Sequence, residues 1–418
     1  MGQDRPGQAR TGQDRPTLLN QTRERATSMD HPTNDSATTA KTAQPQSLAA
    51  PSRDETGAPN VPHAPDAAST AAFAARGLTA EQRYTRQTLF VGLGVAGQER
   101  LSRARVLIAG CGALGSVLAN SLARAGVGYL RLVDRDFVEG NNLQRQVLYD
   151  EHDALEGLPK AIAAKQALRR INSLVTVDAH VADITSDSIE PLLDGIDVVL
   201  DGSDNFEVRY LLNDACVKAR IPWIYSGVIA AYGVTMTILP GETACLRCVF
   251  PDRPLPGTTP TCDTAGVLNG IVGVITGMAA TEALKLLAGS DRLVRGLTWI
   301  DLWENTFERV ELPRMPDCPT CGLGHYEYLD APLDESGVSL CGRNAVQVRP
   351  PHGSTATLDL AALAERLRPA GEVASNDFLL RLRVDGYEVT VFPDARAIIK
   401  GTDDPAVART VYARYVGA

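Results

Sequence analysis

The 418-residue sequence has few aromatic residues, no excess of positive charge and no long uninterrupted apolar run. Lysine and arginine number 41 against 50 aspartates and glutamates, so the formal net charge is −9. The summed field of an acidic protein does not attract polyanions, which argues against binding to DNA or to an anionic membrane. The longest apolar stretch, residues 266–280, is interrupted by Asn269 and four glycines and is too short to span a bilayer. It therefore predicts a buried helix.

The N-terminal part of the chain also lacks the features of a signal peptide and of a folded domain. The first 28 residues contain no apolar segment of the kind found in a secretory signal peptide, so we expect a cytoplasmic protein. Residues 1–77 contain a single aromatic residue, Phe73. Such a composition cannot bury enough apolar surface to offset the entropy lost on ordering, and it predicts a disordered tail.

From residue 78 onward the apolar residues become periodic. Residues 105–109 and 129–133 are typical of strands, and residues 113–125 between them are typical of a helix. A βαβ unit of this kind predicts a parallel sheet covered by helices on both faces. The predicted fold class is therefore α/β, with a Rossmann-like parallel-sheet domain over residues 78–330. Residues 331–418 alternate strands with a terminal helix and predict a small α+β module.

The turn after the first strand has the spacing of a phosphate-binding loop. Gly110, Gly112 and Gly115 follow the pattern G-x-G-x-x-G, which lets backbone amides and a helix N-terminus approach a phosphate. Asp134 follows the second strand, where a carboxylate can accept hydrogen bonds from ribose hydroxyls. Taken alone, these residues would suit NAD.

Cations in the next connection favour a nucleoside triphosphate instead. Asn142, Arg145 and Lys160 all lie between the second strand and the next predicted helix. Arginine and lysine so placed can bind phosphate oxygens and stabilise the charge on a departing pyrophosphate, which a hydride-transfer enzyme does not need. Asp204 follows a later strand, where it could bind Mg²⁺ or could instead cap the helix over residues 206–219.

Five of the eight cysteines fall into two groups. Two Cys-x-x-Cys pairs, separated by 69 residues, predict a closed structural Zn²⁺ site, the alternative being buried free thiols or a redox pair; they are Cys245, Cys248, Cys318 and Cys321. Cys262 stands apart in a loop rich in proline, glycine and threonine. A nearby helix N-terminus would favour its thiolate, although an incidental loop thiol is the alternative.

As an ordered set, these motifs resemble the MoeB/ThiF family of sulfur-carrier adenylyltransferases, which are relatives of ubiquitin-activating enzymes. The resemblance covers about residues 80–325. The matching motifs are Arg83-Tyr-Thr-Arg86-Gln, Gly110-x-Gly112-x-x-Gly115, Val133-Asp-x-Asp136, Asn142-Leu-Gln-Arg145-Gln, Pro159-Lys160, Asp201-x-x-Asp204-Asn205 and the two Cys-x-x-Cys pairs.

The resemblance implies a function and a set of partners. It implies ATP-dependent adenylation of the C-terminal glycine of a small ubiquitin-like sulfur carrier of the molybdopterin or thiamine type, with Mg²⁺ on Asp204 and Zn²⁺ on the four paired cysteines. It also implies a homodimer in which Arg86 reaches the neighbouring subunit's site, a cysteine desulfurase as sulfur donor, and Cys262 as acceptor of the activated carrier or of persulfide sulfur.

Three alternatives stay open from the sequence. The glycine turn and Asp134 would also fit an NAD-dependent oxidoreductase. A related adenylating enzyme could act on a tRNA or a peptide. A non-catalytic scaffold is the third alternative, although the glycine turn, Arg145, Lys160 and Asp204 are all present on this one chain.

Overall fold

A computed structural model of the protein describes residues 77–254, 261–331, 338–340, 344–348 and 358–417. The tail predicted over residues 1–77 lies outside these residues, except for Gly77. Within the described residues, the strands form one eight-stranded sheet and one six-stranded sheet.

The eight-stranded sheet has the order β3-β2-β1-β4-β5-β6-β7-β8. Its strands are β1 (Arg105–Ala109), β2 (Tyr129–Val133), β3 (Thr176–His180), β4 (Val198–Asp201), β5 (Trp223–Ile229), β6 (Tyr232–Ile238), β7 (Leu297–Asp301) and β8 (Thr306–Val310). The pairs from β3 to β5 are parallel, as predicted, but β5 to β8 pair antiparallel, so the sheet is mixed. Only residues 230 and 231 join β5 to β6, and so short a connection allows antiparallel pairing alone.

Helices cover both faces of this sheet. They are α1 (Ala80–Thr88), α2 (Gly94–Arg103), α3 (Ala113–Ala125), α4 (Glu151–Glu156), α5 (Lys160–Ile171), α6 (Ser186–Leu193), α7 (Phe206–Ala219), α8 (Leu246–Val249), α9 (Cys262–Ala265) and α10 (Asn269–Leu287). Alternate side chains of β1 enter opposite cores: Val106 and Ile108 pack with α3, α5 and α10, whereas Leu107 packs with α6 and α7.

By length and composition, α10 is the one described helix that could cross a membrane. In the structure it packs against α3, β5 and β6. Its side chains Ile271, Ile275 and Ala279 are fully buried in the core. The apolar run therefore forms a core helix of this domain.

The six-stranded sheet is antiparallel and has the order β11-β12-β13-β14-β10-β9. Its strands are β9 (Val338–Leu340), β10 (Ala345–Val348), β11 (Glu372–Ser375), β12 (Leu380–Val384), β13 (Tyr387–Val391) and β14 (Ala397–Lys400). Two helices, α11 (Leu360–Leu367) and α12 (Pro405–Tyr415), pack on one face, where Leu363 and Tyr412 join a core with Leu382 and Val389. The described part of residues 331–418 thus has the predicted α+β content, whereas the bounds of the module stay a prediction.

Candidate functional site

The glycine turn between β1 and α3 is held by close backbone packing. Gly110 has φ +91°, and a Cβ on Gly115 would lie 1.8 Å from the Gly110 carbonyl oxygen. A Cβ on Gly110 would lie 2.7 Å from the carbonyl oxygen of Gly202, which follows β4. A Cβ on Gly112 would meet only Gln146 Nε2, at 4.0 Å. The turn is therefore closed on its sheet side and open at the N-terminus of α3, where backbone amides can bind an anion.

Asp134 ties this turn to the end of β2. Its carboxylate accepts hydrogen bonds from the backbone amides of Cys111, at 2.6 Å, and Asp136, at 2.7 Å. Burial raises the pKa of the Asp134 carboxyl, and the neighbouring Lys160 opposes that shift. The structure thus gives Asp134 a role in shaping the loop, and its predicted contact with ribose stays a prediction.

A closed loop follows β2, which we call the phosphate loop and define as residues 136–160. Its two ends pair with each other, since the amide of Val138 donates to the Leu158 carbonyl at 2.8 Å and that of Lys160 to the Asp136 carbonyl at 2.9 Å. This short ribbon holds both ends of the segment that carries the predicted phosphate ligands.

Each predicted phosphate ligand in this loop has a partner within the chain. Lys160 is 5% exposed, and its Nζ lies 3.1 Å from Asp136 Oδ2. Arg145 donates from Nη1 to the Asn141 carbonyl at 2.8 Å, and the side chain of the buried Asn142 accepts from the Glu139 amide at 3.0 Å. Lysine is almost never this buried without a partner, and Asp136 supplies it. Asp136 belongs to the Val133-Asp-x-Asp136 motif, but the sequence alone indicates no role for it.

The edge after β4 presents Asp204. The buried carboxylate of Asp201 accepts from Ser203 N at 2.9 Å and Ser203 Oγ at 2.6 Å, which fixes the turn. Asp204 is exposed at this turn. The alternative that Asp204 caps α7 is wrong, because the cap is Asn205, whose side chain accepts from the Val208 amide at 2.9 Å. The Asp204 carboxylate is therefore not used to start the helix.

Arg209 lies at this edge beside Asp201 and Ser203, although the sequence alone does not single it out. Its Nε lies 3.4 Å from Asp201 Oδ2, and its Nη2 donates to the Ser203 carbonyl at 2.9 Å. Burial lowers the pKa of Arg209, but Tyr225, Asp201, Asp204 and Cys262 together raise it above the ordinary value. The guanidinium thus lies within electrostatic range of both Asp204 and Cys262. The signal in the sequence that could have identified Arg209 is its position on the inner face of α7, eight residues after Asp201.

Cys262 lies at the first residue of the short helix α9. The side chain is partly buried, and its Sγ lies 3.7 Å from the carbonyl oxygen of Val228, near the end of β5. The thiol is therefore next to the carboxyl end of β5, the strand that neighbours β4 and its Asp204 turn. Its predicted role in accepting sulfur stays a prediction.

Arg86 lies in the last turn of α1. Neighbouring side chains anchor this helix: Arg83 donates to the Ile171 carbonyl at 2.9 Å, and Tyr84 is buried and accepts from Asn172 at 2.7 Å. Arg86 itself is exposed and forms no hydrogen bond or ion pair with another described residue. The structure therefore does not bring Arg86 into this chain's own phosphate loop.

The two Cys-x-x-Cys pairs come together in one cluster. The four Sγ atoms lie within 4.8 Å of one another, with separations of 3.9 Å for Cys245–Cys248, 3.6 Å for Cys245–Cys318 and 3.4 Å for Cys248–Cys321. Four thiolates at tetrahedral Zn²⁺ would be about 3.8 Å apart, given a Zn–S distance of about 2.3 Å. The cluster could therefore hold a metal ion.

Polar groups around the cluster suit metal-bound thiolates. The backbone amide of Met315 donates to Cys248 Sγ at 3.5 Å, and the Asn213 side chain donates to Cys245 Sγ at 3.8 Å. Donors of this kind stabilise the negative charge on metal-bound sulfur. The same segment is fastened to α7, because Thr320 and the Tyr328 amide donate to the Asp214 carboxylate at 2.8 and 2.9 Å. A metal ion here would tie residues 318–321 to the middle of the domain.

An open glycine turn, a buried lysine beyond β2 and a carboxylate at the edge of a parallel sheet together define a nucleotide-binding α/β protein. Within that class, residues 84–320 match the ThiF family, and the chain belongs to this family.

Individual relatives agree with that assignment. The chain is 43% identical over 338 residues to "Sulfur carrier protein ThiS adenylyltransferase" of Bacillus subtilis (strain 168), a match covering 80% of this chain and 99% of that one. It is 40% identical over 246 residues to "Sulfur carrier protein adenylyltransferase" of Thermus thermophilus, covering 57% and 90%. A crystal structure of E. coli MccB with ATP aligns with TM-score 0.51 and 25% identity, covering 57% of this chain and 74% of that chain.

Proposed function

We propose that this protein is an adenylyltransferase that uses ATP and Mg²⁺ to activate the C-terminal glycine of a small ubiquitin-like sulfur-carrier protein. The observation that carries the proposal is the phosphate loop, with its buried Lys160 beside an open helix N-terminus, in a chain that matches a ThiS adenylyltransferase over 99% of that enzyme's length. The solved MccB structure with ATP supports the choice of nucleotide.

The reaction needs positioning more than acid–base chemistry. A glycine carboxylate is ionised at neutral pH, so its oxygen can attack the α-phosphorus of ATP without a general base. One P–O bond forms to the carboxylate, and the P–O bond to pyrophosphate breaks, which gives an acyl-adenylate. The protein therefore has to align the two anions and stabilise the charge that moves onto pyrophosphate.

The residues of the phosphate loop suit that task. The amides at the start of α3, beside Gly112, would bind phosphate oxygens, and Arg145 would add a bidentate contact. Lys160 would exchange Asp136 for a phosphate oxygen, so the buried cation keeps an anionic partner throughout. Arg86, exposed on α1, would add its charge to the neighbouring subunit's site in a homodimer.

Asp204 is the residue that we assign to Mg²⁺. Mg²⁺ bound to nucleotide phosphates takes one or two carboxylates and keeps several waters, and the exposed carboxylate of Asp204 leaves room for those waters. Bound there, the ion would neutralise phosphate charge. Asp201 is not available for this purpose, since it is fully buried and paired with Arg209 and Ser203.

We assign Zn²⁺ to the cysteine cluster as a structural ion. Four sulfur ligands leave no position for water or substrate, so the ion would take no part in adenylation. Cys262 lies outside the cluster and would act after adenylation in one of two ways. Its thiolate would attack the acyl-adenylate, forming a thioester with the carrier as AMP leaves, or it would take the outer sulfur of a cysteine desulfurase persulfide, leaving the desulfurase cysteine as a thiolate.

Among carriers, we propose one of the thiamine type. The 338 residues of the B. subtilis match exceed the span of the family match, residues 84–320, so that similarity extends beyond the adenylating domain. The relative's name specifies ThiS. A molybdopterin-type carrier is the matched comparison.

The test is carrier-dependent exchange of labelled pyrophosphate into ATP. We expect exchange with a thiamine-type carrier and little with a molybdopterin-type carrier, and none when the carrier lacks its C-terminal glycine. Exchange with the molybdopterin-type carrier alone would overturn the choice of carrier. No exchange with either, despite ATP binding, would point to a peptide or tRNA acceptor, and tight binding of NADH in place of ATP would support an oxidoreductase.

A further inference from the structure

The six-stranded sheet uses its second face to cover the phosphate loop. Phe137 of that loop is 5% exposed and packs with four buried side chains of the C-terminal module: Ala345, Leu379, Phe392 and Ile398. This small core lies on the side of the sheet away from α11 and α12, whose own core shares none of these residues. The module is thus built around two apolar clusters, and one of them belongs jointly to the phosphate loop.

Charged side chains of the module hold the first end of the loop. Lys400, at the end of β14, places its Nζ 2.6 Å from Glu139 Oε1 and 5.5 Å from the centre of the Phe137 ring. The guanidinium of Arg381 also lies over that ring, at 5.1 Å. Glu139 is three residues before Asn142, and its amide donates to the Asn142 side chain. Lys400 therefore acts on the segment that places the predicted phosphate ligands.

The other end of the loop is held as well. Asn376 Nδ2 donates to the Glu156 carbonyl at 3.0 Å. Arg381 lies against Gly157, where a Cβ would be 3.4 Å from Nη2. Gly157 ends α4 in a left-handed conformation, three residues before Lys160. The module thus contacts both strands of the ribbon that closes the loop.

A buried charge network adds a third connection. Asp183 forms an ion pair with Arg135 of the adenylating domain, whose Nη1 lies at 2.9 Å. From the module, the Gln347 side-chain amide donates a hydrogen bond to Asp183, and Arg396 Nη1 lies 3.9 Å from it. Burial lowers the pKa of Arg135, but Asp183 and Asp136 raise it overall, so the cation is retained. Arg135 immediately precedes Asp136, which pairs with Lys160.

We propose that the C-terminal module positions the phosphate loop for ATP and that Lys400 is a positioning residue for this purpose. The inference rests on the proposed function, since it takes the loop to bind the phosphates. A loop that is ordered before binding loses less entropy when ligand arrives, so fixing both of its ends raises affinity without a new contact to the ligand. The module thereby raises the affinity for ATP through its contacts with the loop, without a contact to ATP itself.

The test compares three single variants of the full-length protein. Lys400→Gln removes the ion pair with Glu139 and a longer one with Glu388, at 3.6 Å, whereas Lys400→Arg keeps the charge. Arg414→Gln is the matched control, because it removes an exposed ion pair with Asp385, at 3.2 Å, and lies on α12, which packs on the other face of the sheet. Two measurements are made: MgATP affinity by calorimetry, and amide hydrogen exchange over residues 139–157.

We expect Lys400→Gln to weaken MgATP binding about fivefold and to speed exchange over residues 139–157, while KM for the carrier stays unchanged. Lys400→Arg should restore both values, and Arg414→Gln should change neither. An unchanged ATP affinity or an unchanged exchange rate in Lys400→Gln would overturn the inference.

The two proposals fail in different ways. If the wild-type protein bound no ATP, the proposed function would fall, because its nucleotide would be wrong. Exchange over residues 139–157 would still report whether Lys400 fixes the loop, so faster exchange in Lys400→Gln would support the positioning and an unchanged rate would reject it.

Discussion

The cysteine cluster and the phosphate loop present their functional groups in opposite ways. The four Sγ atoms face one another within 4.8 Å, and the groups around them donate hydrogen bonds to sulfur. In the phosphate loop, by contrast, Lys160 faces Asp136 and Arg145 faces the Asn141 carbonyl. The four sulfur atoms are arranged so that they could share one ion, whereas each cation has an internal partner that a ligand can replace. The side chains of a structural site therefore stay bound to its ion, whereas those of a substrate site can exchange an internal partner for the ligand.

The largest expected effect falls on the cysteine cluster. Cys318→Ser should release bound zinc and lower the free energy of unfolding by more than ~3 kcal/mol, because a metal held by folded ligands contributes its binding energy to folding. Metal analysis and urea denaturation would measure this. Cys216→Ala is the control, since Cys216 is fully buried but outside the cluster and should cost only about 1 kcal/mol. Unchanged metal content in Cys318→Ser would reject the zinc assignment.

The next effect falls on the carboxylate edge. Asp204→Ala should reduce pyrophosphate exchange by about 10³-fold, since the charge that binds Mg²⁺ would be lost, while zinc content and thermal stability stay as in the wild type. Glu207→Ala removes an exposed carboxylate three residues away and should leave exchange unchanged. Exchange near the wild-type rate in Asp204→Ala would refute the metal role.

A smaller loss of pyrophosphate exchange should follow when Lys160, the exchangeable cation, loses its charge. Lys160→Met keeps the length of the side chain but removes its charge, and we expect exchange to fall about 10²-fold with a higher KM for ATP. Lys165→Met, on the same helix, should behave as the wild type. If Lys160→Met lowered thermal stability but left KM for ATP unchanged, Lys160 would be a partner of Asp136 only, and the contrast with the cysteine cluster would fail.

The smallest effect is expected at the isolated thiol. Cys262→Ala should leave pyrophosphate exchange within about twofold of the wild type, because the thiol lies beside Val228 rather than in the phosphate loop. The same variant should lose any covalent adduct with the carrier, detectable by mass spectrometry under non-reducing conditions. Loss of exchange in Cys262→Ala would show instead that the side chain shapes the nucleotide site.

Local patterns predicted the first half of the fold closely. β1, α3, β2 and α7 begin and end at the predicted residues, because their apolar periodicity is bounded by residues with a clear local role. Gly126 ends α3 in a left-handed conformation, and Asn205 caps α7. Such signals act within a few residues, so they can be read from the sequence alone.

Strand direction and long-range contacts could not be predicted in this way. The antiparallel pairing of β6 with β7 joins strands separated by residues 239–296, so it depends on long-range packing. β8 is mostly exposed and has no apolar alternation to detect. In the site, the sequence identified Lys160 and Asp134 by spacing. Their partners Asp136 and Cys111, and the contact between Lys400 and Glu139 over 261 residues, arise only from packing.

The contact between Gly110 and Gly202 has a mechanical consequence. A Cβ on either residue would lie 2.7 Å from the other's carbonyl oxygen, and a Cβ on Gly202 would also lie 2.9 Å from Gly115 N. The turn after β1 and the turn after β4 are therefore stacked backbone on backbone, with no side chain between them to yield. The glycine turn therefore cannot shift toward Gly202 without displacing the turn that carries Asp204, so the geometry of the anion site and that of the carboxylate edge depend on each other.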